Sequence, residues 1–178
     1  MITKSNIIQL ETPRLLLSPL SHQQLLLYIK NDHSLEADLG LLPQQRDISP
    51  DLQEALELAI LPSVANPAKN ALFYTLWTII LKEKQGMVGD LCFKGAPDEK
   101  GEVEIGYGTY LEHRGNGYMT EAVGVMIEWA FAQKGVKAIT AETEKDNLAS
   151  HHILIKNNFT QLKKGSDRLC WRLKKGKK

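Results

Sequence analysis

Residues 109–120 read Thr-Tyr-Leu-Glu-His-Arg-Gly-Asn-Gly-Tyr-Met-Thr, and no other stretch combines residue types so well suited to chemistry. Gly115 and Gly117 let the backbone from Arg114 to Gly117 wrap tightly, because glycine enters conformations closed to other residues. An apolar stripe at helical spacing follows at once. A helix N-terminus, with free N–H groups and the positive end of its dipole, therefore stands beside the loop. Together these make an anion site, most naturally for a phosphate or pyrophosphate. The same spacing also suits a tight strand-to-helix connection that binds nothing. A Rossmann nucleotide site fits less well, since Gly-x-Gly-x-x-Gly is absent and the preceding strands form hairpins. A Walker loop is excluded, because no Gly-Lys-Ser/Thr occurs.

The elements that must position this loop follow from periodicity. Arg14–Leu17 reads as a short strand stopped by Pro19, and Ser21 to about Lys30 as a packed helix. Ser49-Pro50-Asp51 opens a helix as cap, first-turn proline and first-turn acid. Leu72–Lys82, rich in aromatic and β-branched residues, and Met87–Lys94 form a hairpin about Gln85-Gly86. Glu102–Thr109 is a third strand, with Val103 and Ile105 on one face and Glu102 and Glu104 on the other. The helix after the loop runs from Gly117 to Lys134, with Gly135 as its cap and Ala122, Val123, Met126, Ile127, Ala130 and Phe131 as its buried stripe. A strand over Lys137–Glu142 and a helix over Asn147–Asn157 come next, with Asn158 in a left-handed cap. Phe159–Lys163 and Arg168–Leu173 close the chain as a strand pair around Gly165-Ser166-Asp167. Hairpins followed by strand–helix–strand–helix predict an α+β fold with a mixed sheet.

Composition narrows the class. The 178 residues fit one domain, 1–178, and at 43% hydrophobic and 24% charged they can bury a core. With 22 basic and 21 acidic residues the net charge is +1, which offers no general attraction to nucleic acid or anionic membrane. No apolar run approaches the roughly 18 residues that span a bilayer. Met1-Ile2-Thr3-Lys4 lacks an apolar signal core, and Cys92 and Cys170 lack metal spacing. A reduced, cytoplasmic protein is expected. His151 and His152 point about 100° apart on a helix and make a poor metal pair, so no metal is expected. His113, beside the loop, reads as solvated or touching phosphate. The segment 174–178, Lys-Lys-Gly-Lys-Lys, is expected to be a disordered basic tail, with a ribosome or RNA contact as the sharper reading.

Arg114-Gly115-Asn116-Gly117-Tyr118-Met119 resembles the Arg/Gln-x-x-Gly-x-Gly/Ala signature of the GNAT superfamily, the acetyl-CoA-dependent N-acetyltransferases. The likeness spreads over nearly the whole chain in the expected order. Glu11-Thr12-Pro13-Arg14-Leu15-Leu16-Leu17, Glu104-Ile105-Gly106-Tyr107 and Tyr118-Met119-Thr120-Glu121-Ala122 are similar to the ribosomal-protein N-terminal acetyltransferase branch. So are Asn147-Leu148-Ala149-Ser150 and Lys156-Asn157-Asn158-Phe159. Three positions depart from the pattern. Met119 stands where Gly or Ala is usual, Leu111 replaces a common proline, and Asn158 replaces a glycine.

The resemblance implies a GNAT fold: a mixed, mostly antiparallel sheet flanked by helices, with the strands at Glu102–Thr109 and Lys137–Glu142 splayed to admit the cofactor arm. It implies acetyl-CoA as cosubstrate. The amides of Arg114, Gly115, Asn116, Gly117, Tyr118, Met119 and Thr120 would bind the pyrophosphate. Main-chain groups of Tyr107, Gly108 and Thr109 would pair with the arm and place an oxyanion donor, and Asn147 would lie against it. Glu142 matches the base position, with Glu104 and Glu144 as competitors. Ser150 matches the hydroxyl near the cofactor sulfur, and Leu154 stands where many relatives carry a tyrosine. The implied reaction is direct attack of a primary amine on the thioester, the acceptor being a protein N-terminal α-amine. A small amine, such as a polyamine or aminoglycoside, stays open as acceptor, because substrate choice lives in the segment before the hairpin, here Asn31–Asn70. A non-catalytic acyl-CoA-binding or ribosome-associated module stays open too, as does a homodimer.

Overall fold

A computed structural model describes residues 8–162 and 167–176 of the chain. Strands β1 (Leu10–Glu11) and β2 (Leu15–Pro19) lead into helix α1 (His22–Lys30). Ser21 and Gln24 close a reciprocal capping box at the start of α1. Three short helices follow: α2 (Ser34–Leu39), α3 (Pro50–Ala55) and, after a π turn at Leu56–Ile60, α4 (Leu61–Ala65). Ser49 caps α3 as its sequence predicts, accepting from Leu52 N at 3.2 Å. Then come β3 (Trp77–Leu81), β4 (Gly86–Phe93), β5 (Glu102–Thr109), α5 (Tyr118–Ala132), β6 (Ala138–Glu144), α6 (Leu148–Lys156), β7 (Thr160–Leu162) and β8 (Arg168–Lys174).

The strands form one mixed sheet in the order β1-β2-β3-β4-β5-β6-β8-β7. Every neighbouring pair is antiparallel except β5 and β6. Alternation along the strands gives the sheet two apolar faces. Trp77, Ile79, Leu91, Phe93, Val103, Ile105 and Ile139 pack with Met119, Ala122, Val123 and Met126 of α5 and Leu154 of α6. On the other face Leu76, Ile80 and Met87 meet Leu25, Tyr28, Leu35, Leu56 and Ile60 from α1 to α4. The result is an α+β architecture with helices on both faces.

Several boundaries move for local reasons. The expected strand from Leu72 begins only at Trp77. Asn70 caps a 3-10 turn at Ala71–Phe73, and the Trp77 indole N–H donates to Leu72 O at 3.0 Å. Helix α5 ends at Ala132 rather than Lys134, with Gln133 and not Gly135 as its cap. Gln133 turns extended, and its side-chain amide donates to Trp129 O at 2.9 Å. Gly135 takes φ +88° two residues later, and Asn158 adopts the left-handed conformation expected of it, at φ +63°. Of the segment 174–178, expected to be a disordered tail, the first two residues belong to the fold. Lys174 ends β8, and Lys175 N donates to Lys137 O at 2.9 Å. Met1–Lys4, Lys163, Gly165-Ser166 and Lys177-Lys178 lie outside the described residues. Among the described residues, no helix is long and apolar enough to cross a membrane.

Candidate active site

Strands β5 and β6 pair over three residues only, Glu102 with Ala138, Val103 with Ile139 and Glu104 with Thr140. Beyond Glu104 they part. β5 continues against β4 as far as Thr109, and β6 continues against β8 as far as Glu144. Backbone groups on the facing edges of both strands are thereby left without a sheet partner, the arrangement an extended ligand needs.

A cleft of about 640 Å³ opens there, lined by Tyr107, Gly108 and Thr109 of β5, by the loop and first turn of α5, and by Asn147, Ser150 and Ile153. Gly115 and Gly117 stand at φ +77° and +75°, which bends the loop so that Gly117 starts α5. Among the described residues no side chain caps this helix, and a Cβ at Gly115 would meet nothing within 4 Å. The uncapped amides therefore face open space, and they suit a phosphate by charge and by geometry.

Side chains brace the loop from outside. Arg14 makes an ion pair with Glu121 at 2.7 Å, donates to Asn116 O at 3.1 Å and lies over the Tyr118 ring. The Thr12 hydroxyl donates to the same carboxylate at 2.5 Å. Burial disfavours the Glu121 charge, but the hydrogen bonds from Thr12 and Arg14 outweigh it and hold the carboxyl below its ordinary range. Met119, the departure from the signature, turns into the core at 3% exposure, so its side chain leaves the loop surface clear.

Ser150 lies in the first turn of α6, where Asn147 caps the helix by accepting from Ser150 N at 3.1 Å. The Tyr107 and Ser150 hydroxyls are 2.8 Å apart, with either as donor. Burial pushes the Tyr107 phenol up to about 12, so it stays protonated at neutral pH. Its side chain is a site feature that the resemblance, which implies a role for the Tyr107 main chain alone, does not supply. The signal was available in alternation: Tyr107 shares the inward face of β5 with Val103 and Ile105. Leu154, with no hydroxyl to offer, is fully buried.

The three carboxylates weighed as bases differ in their partners. Glu104 is ion-paired with Lys94, and Glu144 with Arg168 at 2.5 Å. Glu142 is exposed on the opposite face of β6 from Ala141 and Thr143, with the Cys170 thiol 3.7 Å from its Oε1. It lines neither the cleft nor the chamber described next, so it is not brought beside Ser150. His113 bonds to Gln44 at 3.1 Å, and His151 to the Glu144 carbonyl at 3.0 Å.

A second chamber, of about 450 Å³, lies on the α1–α4 side of the sheet. It shares Tyr107, Gly108, Thr109 and Arg114 with the cleft. Its outer wall comes from Gln45, Asp47, Ser49 and Leu52, within the Asn31–Asn70 segment expected to set substrate choice. A cleft that suits an extended phosphate ester thus meets a separate chamber across the end of β5.

Residues 14–160 match the acetyltransferase (GNAT) domain family. The uncharacterized N-acetyltransferase YjdG of Bacillus subtilis is 34% identical over 164 residues, covering 92% of this chain and 96% of that protein. Among solved structures, RimL, a ribosomal L7/L12 α-N-protein acetyltransferase in complex with coenzyme A, is similar at a TM-score of 0.67. Its identity is 14%, over 94% of this chain and 98% of that one. The microcin C7 self-immunity acetyltransferase MccE, in complex with acetyl-CoA and AMP, is similar at 0.61 with 14% identity, over 92% and 93% of the two chains. Sequence match, splayed strands and glycine-bent loop agree: the chain belongs to the GNAT acetyltransferase family and is an acyltransferase.

Proposed function

We propose that this acyltransferase moves acetyl from acetyl-CoA to a primary amine, with a protein N-terminal α-amine as acceptor. The observation that carries this reading is the meeting of the two cavities at Tyr107, Gly108 and Thr109. One cavity suits the cofactor, and the other receives an acceptor from the far side of the sheet. Acetyl-CoA, when bound, supplies the activated acetyl thioester. The amides from Arg114 to Thr120 hold its pyrophosphate. Tyr107, Gly108 and Thr109 align the arm by main-chain groups, and Asn147 lies against it. Alignment contributes much of the rate, because a neutral amine attacks a thioester readily when held close. Ser150, bonded to Tyr107, is set to return a proton to the departing sulfur. Glu142 takes the ammonium proton through solvent, as the carboxylate of the three without an ion pair among the described residues.

A second reading has its own support. The chamber holds only about 450 Å³, and its charged lining is Asp47, Asp90 and Glu112 against Arg114. A compact, cationic small amine fits that volume and sign. A cytoplasmic location accords with both readings.

Thermal unfolding with and without acetyl-CoA tests the cofactor half. At a hundred times its dissociation constant the ligand should add about 2.7 kcal/mol of stability. Acetyl transfer to free-amine peptides and to diamines then separates the two acceptors. Cofactor binding without transfer to either would favour a non-catalytic module.

A further inference from the structure

Tyr28, Asp90 and Tyr110 border the acceptor-side chamber, and they meet in one hydrogen-bonded cluster. Asp90 Oδ2 accepts from the Tyr28 hydroxyl at 2.8 Å and from the Tyr110 hydroxyl at 2.6 Å. Burial raises both phenols above their ordinary range, so both keep the proton they donate. Burial also raises the Asp90 carboxyl, although the two phenols, the Arg46 guanidinium and the Thr78 hydroxyl opposite it on β3 all favour its charge from within the fold. A buried polar network of this kind fixes geometry more than it adds stability over apolar packing. Here it ties together α1, β4 and the chain leaving β5.

Each arm of the cluster ends on a wall of the chamber. Tyr110 directly follows Thr109, where chamber and cofactor cleft meet, and Leu111 and Glu112 after it line the chamber too. Tyr28 belongs to α1, and the Arg46 guanidinium lies over its ring, 4.8 Å from the centroid. Arg46 is held in turn by Glu36 at 3.1 Å, and its carbonyl accepts from the Asn31 side chain at 3.0 Å. Its neighbours Gln45 and Asp47 belong to the outer wall. The cofactor side of β5 is fixed separately, by main chain. Gly89 pairs with Thr109 and Asp90 with Gly108, and Tyr110 N donates to Val88 O at 3.0 Å. The strands approach so closely that a Cβ at Gly89 would sit 2.5 Å from Gly108 O. Loss of a phenol hydroxyl therefore frees the chamber walls and leaves the backbone register of the cleft in place.

We propose that Asp90 is a positioning residue for the acceptor: through the Tyr28 and Tyr110 hydroxyls it sets the chamber walls, and so the line along which the primary amine reaches the thioester at Tyr107, Gly108 and Thr109. It touches no reacting atom. This role rests on the reading of the chamber as the acceptor side of an N-acetyltransferase. Tyr28→Phe and Tyr110→Phe each delete one hydrogen bond and keep the ring that borders the chamber. Asp90→Asn keeps an oxygen that accepts from both phenols, and Asp90→Ala removes it.

The test is steady-state acetyl transfer by the full chain to 1,5-diaminopentane and to a hexapeptide with a free α-amine, with the KM of acetyl-CoA measured beside that of the amine. The wild type is expected to acetylate at least one probe. Tyr28→Phe and Tyr110→Phe should each lower kcat/KM for that amine about tenfold, with the KM of acetyl-CoA within about twofold of wild type, because a small misplacement costs rate steeply. Asp90→Ala should fall at least as far, and Asp90→Asn should recover most of the loss. Tyrosine variants with unchanged kcat/KM for the amine, even at a lower Tm, overturn the proposal. So does an equal rise in both KM values, or an Asp90→Asn enzyme no better than Asp90→Ala. If Asp90→Ala does not fold, the two tyrosine variants decide. A wild type that acetylates neither probe while acetyl-CoA still raises its Tm defeats the proposed function, and this role with it. Unaffected tyrosine variants of an active wild type defeat the role alone.

Discussion

The Tyr107 hydroxyl lies 2.8 Å from that of Ser150, across the cleft between β5 and the first turn of α6. Each can orient the other, so the proton offered to a departing sulfur would belong to the pair. Ser150→Ala and Tyr107→Phe should each lower kcat about tenfold or more, within the usual range for a positioned acid. The double variant should be little worse than the poorer single one, because coupled groups do not add. Both singles should keep the acetyl-CoA-induced rise in Tm. Additive losses in steady-state kinetics would dissolve the pair.

Glu142→Gln addresses the other proton. A tenfold or greater fall in kcat with unchanged acetyl-CoA binding is expected, while Glu104→Gln and Glu144→Gln, which lose only ion pairs on the surface, should leave kcat within about twofold. A Glu142→Gln enzyme of normal rate would remove that residue from the mechanism without touching the family assignment.

Gly115→Val should strain the fold and block the anion site together. The φ of +77° alone costs a β-branched residue on the order of 1–2 kcal/mol. Gly40→Val provides the control, since Gly40 also has a positive φ, +67°, with open space around it, but lies in neither cavity. Both variants should lose several degrees of Tm. Only Gly115→Val should also lose the acetyl-CoA-induced rise.

Glu121 carries a pH signature. Its folded pKa lies below the ordinary 4.5, so the unfolded chain takes up the proton first on acidification. The stabilisation it contributes is complete above 4.5 and disappears as pH falls through the folded value. Wild type and Glu121→Gln should therefore differ in Tm at neutral pH and converge in acid. The gap should be modest, about 1 kcal/mol or less, because Arg14 is 47% exposed. A gap that persists in acid would trace the difference to packing rather than charge.

The Glu36–Arg46 pair is a different case, with both side chains 1% exposed. Glu36→Gln leaves Arg46 as an uncompensated buried cation and should cost about 3–5 kcal/mol in denaturant unfolding. Because Arg46 lies over the Tyr28 ring, the same variant should disturb the Asp90 cluster. Replacing both partners with apolar residues of similar volume should restore most of the stability.

Much of this site is local, and local features were legible. Arg114-Gly115-Asn116-Gly117 bends because two glycines permit positive φ, and the helix that follows supplies its amides whatever the rest of the chain does. Alternation at Val103 and Ile105 set the face of β5, and Ser49 announced its helix by capping chemistry. The misplaced boundaries at Leu72, Lys134 and Lys174 turned on single side-chain or backbone hydrogen bonds, which propensity does not register. What periodicity could not reach were contacts between distant segments. Tyr107 and Ser150 are 43 positions apart, and Tyr28 and Asp90 are 62 apart. Nothing in either neighbourhood marks them as partners. The sequence by itself determined the bent loop, the helix it feeds and the strand faces, because these depend on torsional freedom and spacing along one continuous stretch. Only the tertiary structure decided that Glu142 stands away from the cleft, that Tyr107 joins Ser150, and that Tyr28 and Tyr110 meet at Asp90. Those depend on where β5 leaves β6 and on which helices cover each face of the sheet, and both are outcomes of packing the whole chain.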